Sequence, residues 1–321
     1  MSLFLNCVNN QPITRPPIWF MRQAGRYLSE YRETRKKAGS FLDLCYNSDL
    51  ATEVTLQPIE RFGFDAAILF ADILLILDAL GVNVQFVEGQ GPLLEPVKDK
   101  KDIERIGKVD RIHEKLSPVY QTVKNLKKQL PTDVPLIGFA GAPWTLATYL
   151  INGKGEKGSL TAKKFLIENN KEFEKIIKLL TEATIEYLIM QIKAGADVIK
   201  IFDSWAGALN ADMVLRYSLN PIKEIVNTIK IKYPKIPFIV FPRSVNTIYS
   251  KFSDEKCFDV LAVDQFLDRK WIADKIQPKK IIQGNLDPIF LTQRKEILLP
   301  ELRKVTEDFK NHPYIFNLGH G

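Results

Sequence analysis

The sequence predicts an α/β protein that folds as one (β/α)8 barrel of the TIM type, with an extra hairpin after the second strand. Short apolar or β-branched runs recur eight times, and long amphipathic stretches separate most of them. Continuous apolar strands that alternate with helices are typical of a parallel sheet covered on both faces. The 321 residues suit one large barrel, and no Pro/Gly/Ser-rich linker or shift in composition divides them. We therefore expect a single domain over residues 1–321.

The apolar runs define the predicted strands in chain order. They are residues 18–21, 66–70, 136–139, 198–202, 238–241, 260–263, 280–283 and 314–317. Residues 112–130, 169–194, 213–232 and 291–310 show helical periodicity. Residues 82–87 alternate between apolar and polar side chains and are bounded by Gly81 and Gly89, which indicates the extra hairpin.

The composition argues against several classes of protein. Hydrophobic residues make up 45% of the chain, which is enough for a large core and argues against disorder. No apolar run reaches the roughly 18 residues that a membrane span requires. The net charge of +7 favours anionic partners. The lysines are dispersed along helical stretches without a basic-aromatic cluster, so we expect neither a nucleic-acid nor a membrane partner.

The cysteines and the N-terminal sequence bear on the cellular compartment. Cys7, Cys45 and Cys257 are scattered and form no CxxC pair, which argues against a disulfide framework and a cysteine-built zinc site. The first residues lack the basic region and apolar core of a secretory signal. We expect a cytoplasmic protein.

Two arginines follow the first predicted strand. Arg22 and Arg26 flank Ala24 and Gly25, and Glu30 is the one acid nearby. Such arginines are either solvated surface charges or wait for an anion, since burial of a guanidinium without a partner is costly. Because strand ends carry the chemistry of a barrel, we favour binding of a carboxylate or phosphate, which the planar guanidinium fits well.

Asp72 follows the second predicted strand. It could be only the N-cap of a helix that begins at Ile73, the more common role for such an aspartate. Apolar residues flank it on both sides, however, so we expect its carboxylate to face a poorly solvated cleft.

Three further residues are weaker candidates. Tyr149 lies at ordinary helical spacing and could be a core aromatic, although a buried hydroxyl needs a partner. Ser204 follows the fourth predicted strand and could be a turn residue; no Gly-x-Ser-x-Gly elbow surrounds it. His320 lies between two glycines at the end of the last predicted strand, which is a setting typical of a site.

Residues 153–158 match the dinucleotide-binding pattern Gly-x-Gly-x-x-Gly but do not follow a strand, so the pattern lacks the context that gives it meaning. The sequence also contains no HExxH and no paired Cys/His spacing. We expect neither a cofactor nor a metal.

Four motifs resemble those of the uroporphyrinogen decarboxylase family. They are PIWFMRQAGRYL at 17–28, FAGAPWTL at 139–146, QGNLDP at 283–288 and NLGHG at 317–321. The first two are highly specific, and the four occur in the expected order along essentially the whole chain. The resemblance implies a cofactor-free (β/α)8 barrel, usually a homodimer, that converts the four acetate side chains of uroporphyrinogen III to methyls and yields coproporphyrinogen III.

The resemblance also assigns residues. It implies substrate contacts at Arg22, Gln23, Ala24, Gly25, Arg26, Asp72, Tyr149, Ser204 and His320, with Asp72 in the central catalytic role. Members of the family continue past the Gly-His-Gly, so a short C-terminal segment is expected to be absent from this chain.

Two other functions are left open by the residues alone. A zinc-dependent corrinoid methyltransferase of the same fold would need His or Cys ligands at strand ends, which the three cysteines do not obviously provide. A nonenzymatic nucleic-acid-binding protein would bind strands in a salt-dependent way.

Overall fold

The computed structural model describes residues 2–87 and 89–320, and it contains one large parallel sheet. Its seven strands lie side by side in chain order, each paired with the next one along the chain. Their bounds are β1 Ala67–Ile68, β4 Leu136–Gly141, β5 Val198–Asp203, β6 Phe238–Pro242, β7 Val260–Ala262, β8 Ile281–Gln283 and β9 Tyr314–Ile315. Every pairing in this sheet is parallel, so the predicted α/β class with a parallel sheet is confirmed.

Helices connect the strands and cover the sheet. They are α1 Leu3–Val8, α2 Ser29–Ala38, α3 Phe41–Tyr46, α4 Ser48–Phe62, α5 Leu75–Ala79, α6 Lys100–Glu104, α7 Ile112–Gln129, α8 Pro143–Asn152, α9 Leu160–Glu168, α10 Asn170–Ala194, α11 Ala211–Val214, α12 Asn220–Lys232, α13 Tyr249–Asp254, α14 Arg269–Lys275 and α15 Lys295–Asp308. A π-helical turn, Leu215–Leu219, joins α11 to α12. The four long predicted helices therefore exist, with ends shifted by a few residues.

The first predicted strand is reduced to one parallel bridge, between Ile18 and Phe316. The N–H of Phe316 donates to the carbonyl of Pro17 at 2.9 Å, and the N–H of Trp19 donates to that of Phe316 at 3.4 Å. On its other side, the Ile18 carbonyl accepts from the N–H of Asp65 at 2.9 Å. Residues 17–19 thus link β9 to the chain that enters β1. Pro16 and Pro17 have no N–H to donate, which limits the length of this strand.

A second, two-stranded sheet follows β1 and α5. It pairs β2, Val84–Val87, with β3, Gly91–Leu94, in antiparallel register. Glu88, which lies between them in the sequence, is outside the described residues, as are Met1 and Gly321, the last residue of the fourth motif.

Lys200, in β5, is a charged type of residue inside the apolar core. Its side chain is 0% exposed, and its Nζ has no hydrogen-bond partner. The Nζ lies 5.0, 4.8 and 5.3 Å from the ring centroids of Trp19, Phe202 and Phe241. The rings favour an ammonium ion, but the loss of hydration opposes it more strongly and lowers the pKa of Lys200 well below its ordinary value of 10.5. Since the three rings come from separate parts of the sheet, Lys200 marks the space that the sheet curls around.

Candidate active site

The segment after Trp19 presents two arginines to solvent while its glutamine anchors it to the protein. Gln23 is 1% exposed; its Oε1 accepts from the N–H of Phe20, and its Nε2 donates to the carbonyl of Ala66, both at 3.3 Å. Arg22 and Arg26 are exposed, and within the described residues neither guanidinium forms an ion pair or a hydrogen bond. The segment is therefore held in place with two cations available.

Ala24 and Gly25, between these arginines, are less exposed than the arginines are. Ala24 is half-buried and packs on the small cluster around Leu28 and Tyr31. A β-carbon added at Gly25 would meet the Tyr27 ring at 3.5 Å, an ordinary van der Waals contact. Packing within the protein therefore does not require a glycine at position 25. Gln23 and Ala24 contact the protein itself, so their role is to hold the segment that carries Arg22 and Arg26.

Asp72 lies beyond the end of β1, ahead of α5. Its Oδ1 accepts a hydrogen bond of 2.8 Å from the N–H of Leu74, so it does act as a local cap, although α5 begins only at Leu75. The side chain is partly exposed, yet burial by the surrounding protein raises its pKa to about 6. The Leu74 N–H and the charge of Arg22 act in the opposite direction. Asp72 is a carboxylate with most of its acceptor capacity unused.

Tyr149 links this carboxylate to Trp205, which lies just beyond the end of β5. It lies on α8, and its ring meets that of Trp205 edge-on, with centroids 6.2 Å apart. Burial raises the pKa of Tyr149; the charge of Asp72 raises it further, and the charge of Arg22 lowers it. The charge of Arg22 thus acts to lower the pKa of both Asp72 and Tyr149, and these three residues form one cluster with the Trp205 ring that packs on Tyr149.

The loop 153–158 lies against this cluster. Gly153, with φ 72°, ends α8, and its N–H donates to the Tyr149 carbonyl at 2.9 Å. The loop therefore follows a helix, unlike a dinucleotide-binding loop, which follows a strand. A β-carbon on Gly155 would lie 3.4 Å from the Trp205 ring and 3.6 Å from the Tyr149 hydroxyl. The glycine pattern thus belongs to the wall of the site.

Ser204 and His320 lie at the same edge of the sheet. Ser204 directly follows β5 and is half-buried. The ring of His320 lies 6.2 Å from that of Phe241, and Phe241 in turn lies 6.4 Å from Phe202. Gly319 allows this course of the chain, because a β-carbon there would lie 2.3 Å from the backbone nitrogen of Gln265.

Sequence reasoning missed two residues of this region. The indole Nε1 of Trp205 and the guanidinium Nε of Arg243 are buried without a hydrogen-bond partner. The Trp205 backbone is fixed, since its N–H donates to the Thr145 hydroxyl at 3.1 Å and its carbonyl accepts from the Trp144 indole at 2.9 Å. The available signal was position alone, because Arg243 directly follows β6 and Trp205 lies two residues after the end of β5.

The described residues also bear on metal binding and on membrane spanning. Within residues 2–87 and 89–320, no group of three or more His, Cys, Asp or Glu side chains is placed to hold a metal ion. In the same ranges no helix combines the length and the apolar character that a membrane span needs.

A groove of about 810 Å³ lies on the helical surface and is lined in part by Glu30, Asp49, Glu53 and Glu60. Its acidic lining makes it unsuitable for an anionic ligand.

The family model and the similar proteins that match this chain all indicate the same family. The sequence model of the family described as Uroporphyrinogen decarboxylase (URO-D) matches residues 1–321. A uroporphyrinogen decarboxylase of Jannaschia sp. (strain CCS1) is 51% identical over 95% of this chain and 89% of its own length. One from Ruegeria pomeroyi is 49% identical over 99% and 92%.

Solved structures agree on the fold. A methyltransferase from Methanosarcina mazei superposes with a TM-score of 0.80 at 20% identity and covers 99% of this chain and 92% of its own. A B12-independent methionine synthase from Shewanella sp. W3-18-1 gives a TM-score of 0.57 at 13% identity, over 85% and 80%. At these identities the likeness concerns the fold alone.

Proposed function

This chain belongs to the uroporphyrinogen decarboxylase family, and we propose that it decarboxylates uroporphyrinogen in porphyrin and haem biosynthesis at the cluster of Arg22, Asp72 and Tyr149. In the finer form of the proposal, the four acetate side chains of uroporphyrinogen III become methyls and coproporphyrinogen III is released. The observation that carries this assignment is Asp72, a partly exposed carboxylate that accepts one backbone hydrogen bond and senses the charge of Arg22.

The arginines give the substrate its first contacts. Uroporphyrinogen carries eight carboxylates, and Arg22 and Arg26 have no acidic partner within the described residues. Each charge-assisted hydrogen bond contributes about 1.5–3 kcal/mol, so a few of them orient a large polyanion. Tyr149, Ser204 and His320 supply further polar contacts around the same edge.

The chemistry requires a place for the electrons of the broken C–C bond. Protonation of a pyrrole carbon gives a cationic, iminium-like ring. As CO2 leaves, the bonding pair flows into that ring and neutralises it, leaving an exocyclic methylene carbon. A proton added to this carbon makes the methyl, and loss of the first proton restores the pyrrole, so each decarboxylation consumes one proton overall.

Asp72 stabilises the cationic ring in this sequence. An ionised carboxylate beside the pyrrole N–H groups offsets the positive charge that develops before CO2 departs. Its free acceptor capacity suits it to N–H donors, and its partly exposed position leaves it accessible to the substrate. Burial raises the pKa of Asp72 to about 6, and the Leu74 N–H and Arg22 limit this rise, so the carboxylate is ionised at neutral pH.

The architecture supports this site. We propose that residues 17–19 act as the eighth member that closes the sheet into a (β/α)8 barrel, as their hydrogen bonds to Phe316 and Asp65 support. We also propose that residues 1–321 form one domain, with the site at the carboxyl edge of the strands.

We further propose a cytoplasmic homodimer. The three cysteines are free thiols, which suits a reducing compartment. Phe266, Ile289 and Leu291 expose 66%, 57% and 43% of their surface on segments that follow β7 and β8, and a second copy would cover them. Sedimentation of the purified chain tests this; a monomer at micromolar concentration would contradict it.

The proposed reaction is tested with freshly reduced uroporphyrinogen III. Products are separated by their number of carboxylates after incubation with the purified chain. We expect intermediates with seven, six and five carboxylates and accumulation of the four-carboxylate product. Substrate that keeps all eight carboxylates, under conditions in which a relative is active, would overturn the proposal.

A further inference from the structure

Arg243 is a cation that the protein leaves without a partner. Within the described residues its guanidinium forms neither an ion pair nor a hydrogen bond, and its Nε is buried. The other arginines in this condition are all exposed; they are Arg22, Arg26, Arg111, Arg294 and Arg303. Removing part of a guanidinium from water without a partner costs free energy, which an anionic ligand would recover.

The strand pattern directs Arg243 toward the substrate. It directly follows β6, and its N–H donates to the Asp203 carbonyl at 3.1 Å, which continues the pairing with β5. Side chains two residues apart on a strand share a face, so Arg243 projects to the same side as Phe241. The Phe241 ring contacts the His320 ring and the Lys200 amine. Arg243 therefore extends above the sheet interior at its carboxyl edge.

The backbone around Arg243 is tightly fixed. Its carbonyl accepts from the N–H of Gly207 at 2.9 Å, and a β-carbon on Gly207 would lie 2.6 Å from the Ser244 carbonyl oxygen. Ser244 has a φ of 62°, and its N–H donates to Asp264 at 2.6 Å. A fixed backbone lowers the entropic cost of binding through this side chain.

Arg243 also lies across the sheet from the arginines already described. The order of elements around the sheet is residues 17–19, β1, β4, β5, β6, β7, β8 and β9. Arg22 follows the first of these elements and Arg243 follows the fifth, so the two are separated by half of the ring. A macrocycle with carboxylates around its whole rim needs cations on both sides.

We propose that Arg243 binds a substrate carboxylate on the side of the site opposite Arg22 and Arg26. This inference rests on the proposed function. Contacts on two opposite sides would fix the plane of the macrocycle over the site. Rotation of the macrocycle in that plane would then bring successive acetates to Asp72. The planar fork of arginine fits a carboxylate better than the point charge of lysine does.

The test compares Arg243→Gln, Arg243→Lys and the control Arg303→Gln, which removes an exposed, unpaired arginine of α15. For Arg243→Gln we expect KM for uroporphyrinogen to rise about tenfold or more, from the loss of a charge-assisted hydrogen bond. The change in kcat should be smaller than the change in KM. Arg243→Lys should recover part of the loss, and Arg303→Gln should match the parent.

A second measurement separates this inference from the proposed function. Binding of uroporphyrin, the oxidised macrocycle with the same eight carboxylates, is followed by fluorescence titration without turnover. Weaker binding by Arg243→Gln than by Arg303→Gln supports the contact, even if the parent shows no decarboxylation and the proposed function fails. Parent-like KM and parent-like uroporphyrin binding in a folded Arg243→Gln would overturn the inference while an active parent keeps the function.

Discussion

Asp72 and Asp203 are both carboxylates at the carboxyl edge of the sheet, and burial raises the pKa of each to about 6. Their partners differ. Asp203 is 0% exposed and accepts hydrogen bonds from the hydroxyls of Thr145 and Ser218. Asp72 is partly exposed and accepts one bond, from the Leu74 N–H. A raised pKa therefore does not distinguish the two carboxylates. They differ because Asp72 has free acceptor positions that a ligand can reach, whereas both carboxylate oxygens of Asp203 accept from the two hydroxyls.

The difference arises from the register of the strands. Lys200 and Phe202 project into the space inside the sheet, so Asp203, one residue later, projects outward to α8 and the π-helical turn. Asp203 fastens the helices to the sheet through Thr145, whose hydroxyl also holds the N–H of Trp205. Asp72 lies beyond its strand, where neighbouring helices do not satisfy it.

The largest expected effect comes from Asp72→Asn. Asparagine caps a helix about as well as aspartate, so the fold should be kept. The loss of charge should lower turnover of saturating uroporphyrinogen by about a hundred- to a thousandfold, the usual cost of removing a preorganised electrostatic partner. Asp72→Glu keeps the charge and should retain more activity.

Melting curves of both Asp72 variants are the control for unfolding. A folded Asp72→Asn enzyme that works within a few-fold of the parent would reduce Asp72 to a helix cap.

The pH dependence distinguishes the two carboxylates directly. If Asp72 acts in its ionised form, kcat/KM should fall as the pH is lowered through about 6, approaching tenfold per unit below that value. Asp203→Asn should keep this acid limb, whereas Asp72→Asn should flatten it. A limb that stays in the Asp72 variant and vanishes in the Asp203 variant would reverse the assignment.

Arg26→Lys tests whether the exposed arginines bind the carboxylates of the substrate. The charge is kept, but the planar fork that grips a carboxylate is lost. We expect KM to rise about fivefold, a fraction of one charge-assisted hydrogen bond. Arg111→Lys, at an exposed arginine directly before α7, is the matched control. Equal kinetics for both variants would show that Arg26 is an ordinary surface charge.

The smallest effect on activity should come from Asp203→Asn. An amide oxygen can accept from one of the two hydroxyls, and the other must turn away, which costs about 1 kcal/mol of stability. We expect Tm to fall by about 2 °C and turnover to stay within about threefold. Thermal unfolding and steady-state kinetics measure the two quantities. A large loss of turnover with an unchanged Tm would place Asp203 in the chemistry.

The sequence predicted the regular part of the structure from apolar periodicity. Strands β4 to β6 are almost wholly buried, and α7 and α10 begin and end within one residue of expectation. Residues 18–21 were expected to form a strand and form a single bridge, because the chain beyond Trp19 turns away and is held by Gln23. Such a turn depends on long-range contacts with Ala66 that local pattern does not contain.

The candidate site was predictable only by position. Residues that follow strands, such as Asp72 and Ser204, could be named because parallel strands end at one edge. Whether a side chain is already satisfied depends on its tertiary partners: Gln23 donates to Ala66, whereas within the described residues the Arg243 guanidinium forms no ion pair. Lys200 was hidden inside a strand-like apolar run, where a single lysine does not disturb the pattern.

Lys200 links unfolding of this chain to proton uptake. Burial lowers the pKa of its amine well below 10.5 in the folded protein, and the amine regains a pKa near 10.5 once water reaches it. Between these two values the unfolded chain holds the extra proton, so this residue makes the folded state more stable as the pH rises, by up to about 1.4 kcal/mol per unit. Asp72 and Asp203 act in the opposite direction, but only between their ordinary value of 3.8 and about 6, because their stabilising contribution is present in acid and lost as they ionise. Above pH 6 the lysine acts unopposed by them, so the free energy of unfolding should rise with pH under mildly alkaline conditions.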